Sequence, residues 1–96
     1  MKIKFENELY YWRGPSPFHF ITVPEKESAE IKKLSTMLTY GWGVIPVESL
    51  IGKTIFTTAL IPKDGLYRLP IKNVVRLGEE LELDDVVKVT LNFNIK

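Results

Sequence analysis

The chain contains no cysteine. A disulfide framework, a thiolate zinc site and a cysteine nucleophile are therefore excluded together. Histidine occurs once, at His19. A transition-metal site would have to be completed by carboxylates, and none lie near it at ligand spacing. An excess of either charge is also missing. Thirteen Lys and Arg face twelve Asp and Glu, and a net charge of +1 sets up no global field to gather nucleic acid or an anionic membrane. No run approaches the roughly 20 apolar residues of a spanning helix. Met1–Glu6 alternates charged and apolar residues where a signal peptide needs a continuous apolar stretch. The expectation is a soluble, cytoplasmic protein. Phosphate loops, nucleophile elbows and zinc-protease helices are absent as well. Gly41-Trp42-Gly43 precedes a strand and not a helix, the reverse of a nucleotide fingerprint.

What is present suits one modest core. Apolar residues make up 45% of 96 positions, which argues against disorder and for a single domain over residues 1–96. The clearest element is the last. Val87, Val89, Leu91, Phe93 and Ile95 alternate with Lys88, Thr90, Asn92 and Asn94, the period-two signature of a half-buried strand. A first strand is expected over Lys2–Trp12, with Ile3, Phe5, Leu9 and Tyr11 on its apolar face. Asn7 falls on that same face and marks a bulge or a sheet crossing. Phe18–Val23 should pair with this strand as a hairpin, across an Arg13–Pro17 connection whose prolines cannot continue a ladder.

Pro24 ends the second strand, and Ser28 is placed to cap a helix of two or three turns carrying Ile31, Leu34 and Leu38 on one stripe. The next strand, Val44–Ile51, contains Pro46 and reads as an edge or bulged strand. Gly52-Lys53 and Asp64-Gly65 are hairpin turns on either side of a Thr54–Ile61 strand. Leu66–Leu69 is a short strand, and Ile71–Leu77 is a short helix that Gly78 should cap. Six strands and two short helices joined by short loops leave no room for parallel crossovers, so the sheet is mainly antiparallel. A chain this short avoids free edges most readily by closing into a small barrel.

Two blocks carry a family likeness. The first is Phe5…Glu8-Leu9…Trp12…Phe20…Val23-Pro24…Ile31. The second runs Gly41-Trp42-Gly43-Val44…Ile51-Gly52…Pro62-Lys63-Asp64-Gly65…Leu69-Pro70…Val75-Arg76…Asp85-Val86…Val89. In this order and spacing the chain resembles the bacterial domain-of-unknown-function family 1905 over nearly its whole length. The resemblance implies a small six-stranded, mostly antiparallel double-split β-barrel, the fold type of AbrB- and MazE-like transcription factors. It implies no assigned activity. One departure stands out: members usually have Gly-Asp where this chain has Asp84-Asp85, and glycine would supply a positive φ more easily than aspartate.

Few residues offer chemistry. His19 alternates with Phe18 and Phe20 and reads as an ordinary strand histidine, so no catalytic residue is assigned. The acids of Glu79–Asp85 read as a solvated turn, lacking the EF-hand order, and no metal or other cofactor is expected. Tyr10 and Trp12, on the outer face of the first strand, cover a second small core under the Gly41–Gly43 loop or form a contact surface together with Trp42. Arg68, Lys72 and Arg76 recur every four residues, with Lys63 nearby, and could line up as a cationic strip. The reading is a non-catalytic module that binds a protein or small ligand as a monomer or homodimer. Nucleic-acid binding, by analogy with AbrB-like barrels, is the alternative. A small-molecule enzyme is the weakest of the three.

Overall fold

A computed structural model describes residues 1–14, 18–38 and 44–93. Its strands are β1 (Lys2–Trp12), β2 (Phe18–Val23), β3 (Ile45–Ile51), β4 (Thr54–Lys63), β5 (Leu66–Ile71) and β6 (Val86–Asn92). The helices are α1 (Glu25–Leu38), between β2 and β3, and α2 (Asn73–Gly78), between β5 and β6. The strands close in the order β1-β2-β5-β4-β3-β6, and every pairing is antiparallel. Closure satisfies the expected need to hide edges.

Two long strands organise the barrel by changing partner midway. β1 pairs with β6 over Lys2–Glu8 and with β2 over Leu9–Trp12. β4 pairs with β3 over Thr54–Leu60 and with β5 over Ile61–Lys63. Asn7 stands where β1 switches. Extending the β1–β2 register would place Glu8 opposite Thr22, but the ladder stops one residue short. The Asn7 amide fills the gap: Oδ1 accepts from the Glu8 N–H at 2.9 Å, and Nδ2 donates to the Thr22 carbonyl at 2.9 Å. The polar residue on the apolar face is thus a sheet crossing, and its side chain replaces a missing rung.

The lining comes from alternating positions of every strand, among them Phe5, Leu9, Ile21, Val47, Leu60, Leu69 and Leu91. Val87, Val89, Leu91 and Phe93 are all buried, as the periodicity predicts, while Ile95 lies outside the described residues. β3 also alternates, and its Pro46 sits where only β4 is paired, since the β6 ladder reaches just Glu48–Leu50. The missing N–H therefore breaks no rung toward β6.

Three expectations are corrected. α1 begins at Glu25 and spans 14 residues, about four turns, and Ser28 is inside it. Ser28 is buried where α1 meets the barrel. Its hydroxyl donates to the Val23 carbonyl at 2.8 Å and accepts from the Tyr67 N–H at 3.1 Å. α1 touches β1, β3 and β5, which are spaced around the ring, so it lies across an opening with Ile31 plugged inward. Gly78 is the last residue of α2; the positive φ falls instead on Glu80, at 54°. Tyr11 keeps the inward parity but lies past the lining and is 40% exposed.

The turns follow their residues. Gly52 has φ 58°, and Asp64-Gly65 has φ 53° and 81°, the paired positive values of a type I′ hairpin. Asp84 adopts φ 69°, a positive value that glycine would supply more easily than aspartate. Its N–H donates to the Leu9 carbonyl and the Asp85 carbonyl accepts from the Leu9 N–H, both at 2.9 Å, which ties this turn to β1.

Candidate binding surface

Residues directly opposite across an antiparallel pair share a face. The register pairs Trp12 with Phe18 and Tyr10 with Phe20 on the outside of β1 and β2. Next along the sheet, Phe20 pairs with Pro70, Thr22 with Arg68, and Arg68 with Ile61 of β4. Four aromatics from two strands therefore meet a guanidinium from β5 on one outward face.

Phe20 is the centre of this group. It is 5% exposed, yet it does not belong to the barrel core. Phe18 packs on it at 5.7 Å between centroids and Tyr10 at 6.1 Å, and the Arg68 guanidinium lies 4.2 Å from its ring centre. Trp12 continues the cluster outward and is 37% exposed, as is Phe18. Lys63 Nζ sits 3.3 Å above the Trp12 ring, and Arg68 is 5.5 Å from it on a longer contact. Each cation–ring contact at such a partly exposed site contributes about 0.5–1 kcal/mol. Gly14 completes the seat, because a Cβ there would collide with the indole of Trp12.

The electrostatics are one-sided. Arg68 Nε and Nη1 are buried and, among the described residues, have no hydrogen-bond partner. The ring faces attract their charge but accept no N–H bond as a carboxylate would. Beside them opens a cleft of about 130 Å³ lined by Tyr10, Thr22, Lys63, Asp64 and Arg68. Thr22 Oγ1 donates to the Tyr10 hydroxyl at 3.4 Å, a long bond that leaves the Tyr10 proton free. A larger cleft, about 430 Å³, lies on the β1–β6–β3 side against Lys4, Glu6, Leu50 and Lys88. Glu6 and Lys88 face each other there across the ladder, with Lys4 two residues along β1.

Of the residues singled out in the sequence, Tyr10, Trp12 and Arg68 come together on this face. Lys72 is turned toward β4, where its ammonium donates to the Thr57 carbonyl at 3.1 Å. Arg76 acts elsewhere: its charge is felt by His19, which is on the opposite face of β2 from Phe20. Burial first, and then the Arg76 guanidinium, hold the His19 imidazole below its usual pKa of 6.5. The Tyr11 ring covers His19 at 4.8 Å. A histidine set against a ring and a cation lacks the carboxylate that would orient a general base. Trp42 lies outside the described residues. Two acids of the last turn have hydrogen-bond partners within the protein. Glu79 accepts from the Thr54 hydroxyl at 2.6 Å and from the Lys53 N–H, and Asp85 accepts from the Glu82 N–H at 2.9 Å. Among the described residues no three of His, Cys, Asp and Glu gather as a metal site would require.

Phe18 and Phe20, which the sequence pattern gave no part in a site, complete the cluster together with Lys63, expected only as a neighbour of the cationic strip. Alternation of Phe18 and Phe20 about His19 was the available signal, but only the hairpin register sets them opposite Trp12 and Tyr10.

Fold and surface together define a small closed β-barrel with an outward aromatic face roofed by cations. Residues 5–91 match the model of the family described as Domain of unknown function (DUF1905), and the chain belongs to that family. No curated protein matches the chain. Among the described residues no helix is long and apolar enough to cross a membrane.

Proposed function

We propose that the barrel is a non-catalytic binding module whose working surface is the Tyr10–Trp12–Phe18–Arg68 face, and that its partner is an extended segment of another protein. The observation that carries this reading is the aromatic cluster around Phe20. It is built outside the core, fixed by cations and by a glycine seat, and still leaves Trp12 and Phe18 more than one-third exposed. Rigid aromatics of this kind supply contact area at low entropic cost.

Selection from a displayed peptide library tests it. The purified protein is expected to retain a related set of peptides that Trp12→Ala loses and Ile55→Ala, altered at an exposed apolar residue off this face, keeps. Retention of the same set by Trp12→Ala, or of no set by the unaltered protein, overturns the reading. Nucleic-acid binding has one observation in its favour, the nearness of Arg68 and Lys63 to aromatic rings. Those cations occupy the ring faces that bases would stack on, and the chain carries a net charge of only +1. A gel-retardation assay showing affinity at low salt that collapses as salt rises would restore it.

A further inference from the structure

We infer that the cleft between Tyr10, Thr22, Lys63 and Arg68 is a subsite for a carboxylate carried by the partner segment. This rests on the binding-module reading and specifies which group of the partner is recognised.

The argument is a count of donors. Tyr10 accepts from Thr22 and has its own O–H to give. Arg68 brings two buried N–H-bearing nitrogens without an acceptor among the described residues. Lys63 adds an ammonium held over the Trp12 ring, a contact that uses none of its three N–H donors in an ordinary hydrogen bond. Three donor groups converge, and the rings beside them offer no lone pairs. Buried N–H groups are rarely left this way, so the arrangement matches an acceptor supplied from outside. A carboxylate would meet charge-assisted N–H donors on the planar guanidinium. Asp64 also lines the cleft. Its charge opposes a dianion more than a monoanion, which favours a carboxylate over a phosphate. The cleft, at about 130 Å³, has room for such a group and little more. The Trp12 and Phe18 surface beside it would then receive the apolar residues that follow in the segment.

Nuclear magnetic resonance on the whole chain tests this directly. The Arg68 Nε–H and Trp12 indole N–H signals are followed while sodium propionate or inorganic phosphate is added at constant ionic strength. The same signals are followed with two short peptides, one amidated with an internal glutamate and one with a free C-terminus. Saturable shifts with propionate and with at least one peptide are expected, and the responding peptide tells side-chain from terminal carboxylate. Arg68→Gln should weaken the binding about tenfold or more. Because Arg68 also covers Phe20, Lys63→Ala and Tyr10→Phe serve beside it, each expected to weaken binding about threefold with the spectrum unchanged away from the altered residue and the rings it touches. The subsite is overturned by an absence of saturation, by equal affinity in all three variants, or by phosphate binding tighter than propionate. If library peptides are retained through Trp12 but carry neither an acidic position nor a required free C-terminal carboxylate, the module stands and the subsite alone falls.

Discussion

Asn7 shows how one side chain can hold a topological switch. Its amide stands in for the Glu8–Thr22 rung on both sides, as acceptor and as donor. Asn7→Ala should cost about 1–3 kcal/mol, since it strands the Thr22 carbonyl and the Glu8 N–H together, and urea unfolding will measure it. An unchanged midpoint would mean that water replaces the amide at no cost. Asp84 is the converse case. At φ 69° it holds a conformation that a Cβ disfavours, and its recorded hydrogen bond is made by the main chain. Asp84→Gly is expected to leave stability unchanged or raise it by about 1 kcal/mol, the relief of strain being offset by the greater freedom of the unfolded glycine. A loss of comparable size would assign the carboxylate a structural role.

At the scale of elements, one polar side chain ties α1 to the barrel and another ties the β3–β4 hairpin. Ser28 bonds the Val23 carbonyl at the end of β2 and the Tyr67 N–H near the start of β5 at once, at the last rung of the β2–β5 ladder. Ser28→Ala should destabilise by about 1–3 kcal/mol and speed hydrogen exchange at Tyr67 N–H, which loses its acceptor. Equal exchange at that amide would show that the helix, and not the hydroxyl, protects it. At the hairpin, Glu79 reaches from beyond α2 to Lys53 and Thr54, and any side chain at Gly52 would strike its carboxylate. The sequence marks both features with the right residue types. It assigns Ser28 to a cap and Glu79 to a solvated cluster because hydrogen-bond partners 25 and 39 residues away leave no local trace.

For the whole molecule, the single histidine makes a clean reporter of pH. The unfolded chain takes a proton on His19 near 6.5, whereas burial and Arg76 delay protonation in the folded barrel to lower pH. Between those two values the unfolded state binds more protons, so stability is full above 6.5 and declines as pH falls through that window. Denaturation midpoints from about pH 7.5 to about pH 5.5 should show the decline, and His19→Gln should flatten it. An identical slope in the variant would place the effect on carboxylates.

The sequence by itself determined a good deal of this barrel. Alternation fixed the inward and outward faces of β6 and most of β1, because side chains in a strand reverse direction at every residue. Glycine and aspartate fixed the turns at Gly52 and Asp64-Gly65, because positive φ excludes most other residues. Only the tertiary structure decided who neighbours whom. Partner exchange along β1 and β4 brings Lys63 and Arg68 onto the rings of Trp12 and Phe20, whereas Arg76, on the helix that follows β5, makes its charge felt at His19 on the other side of β2. Periodicity is a local property of the chain, whereas contact across a closed sheet depends on strand order and register, which no short window of residues contains.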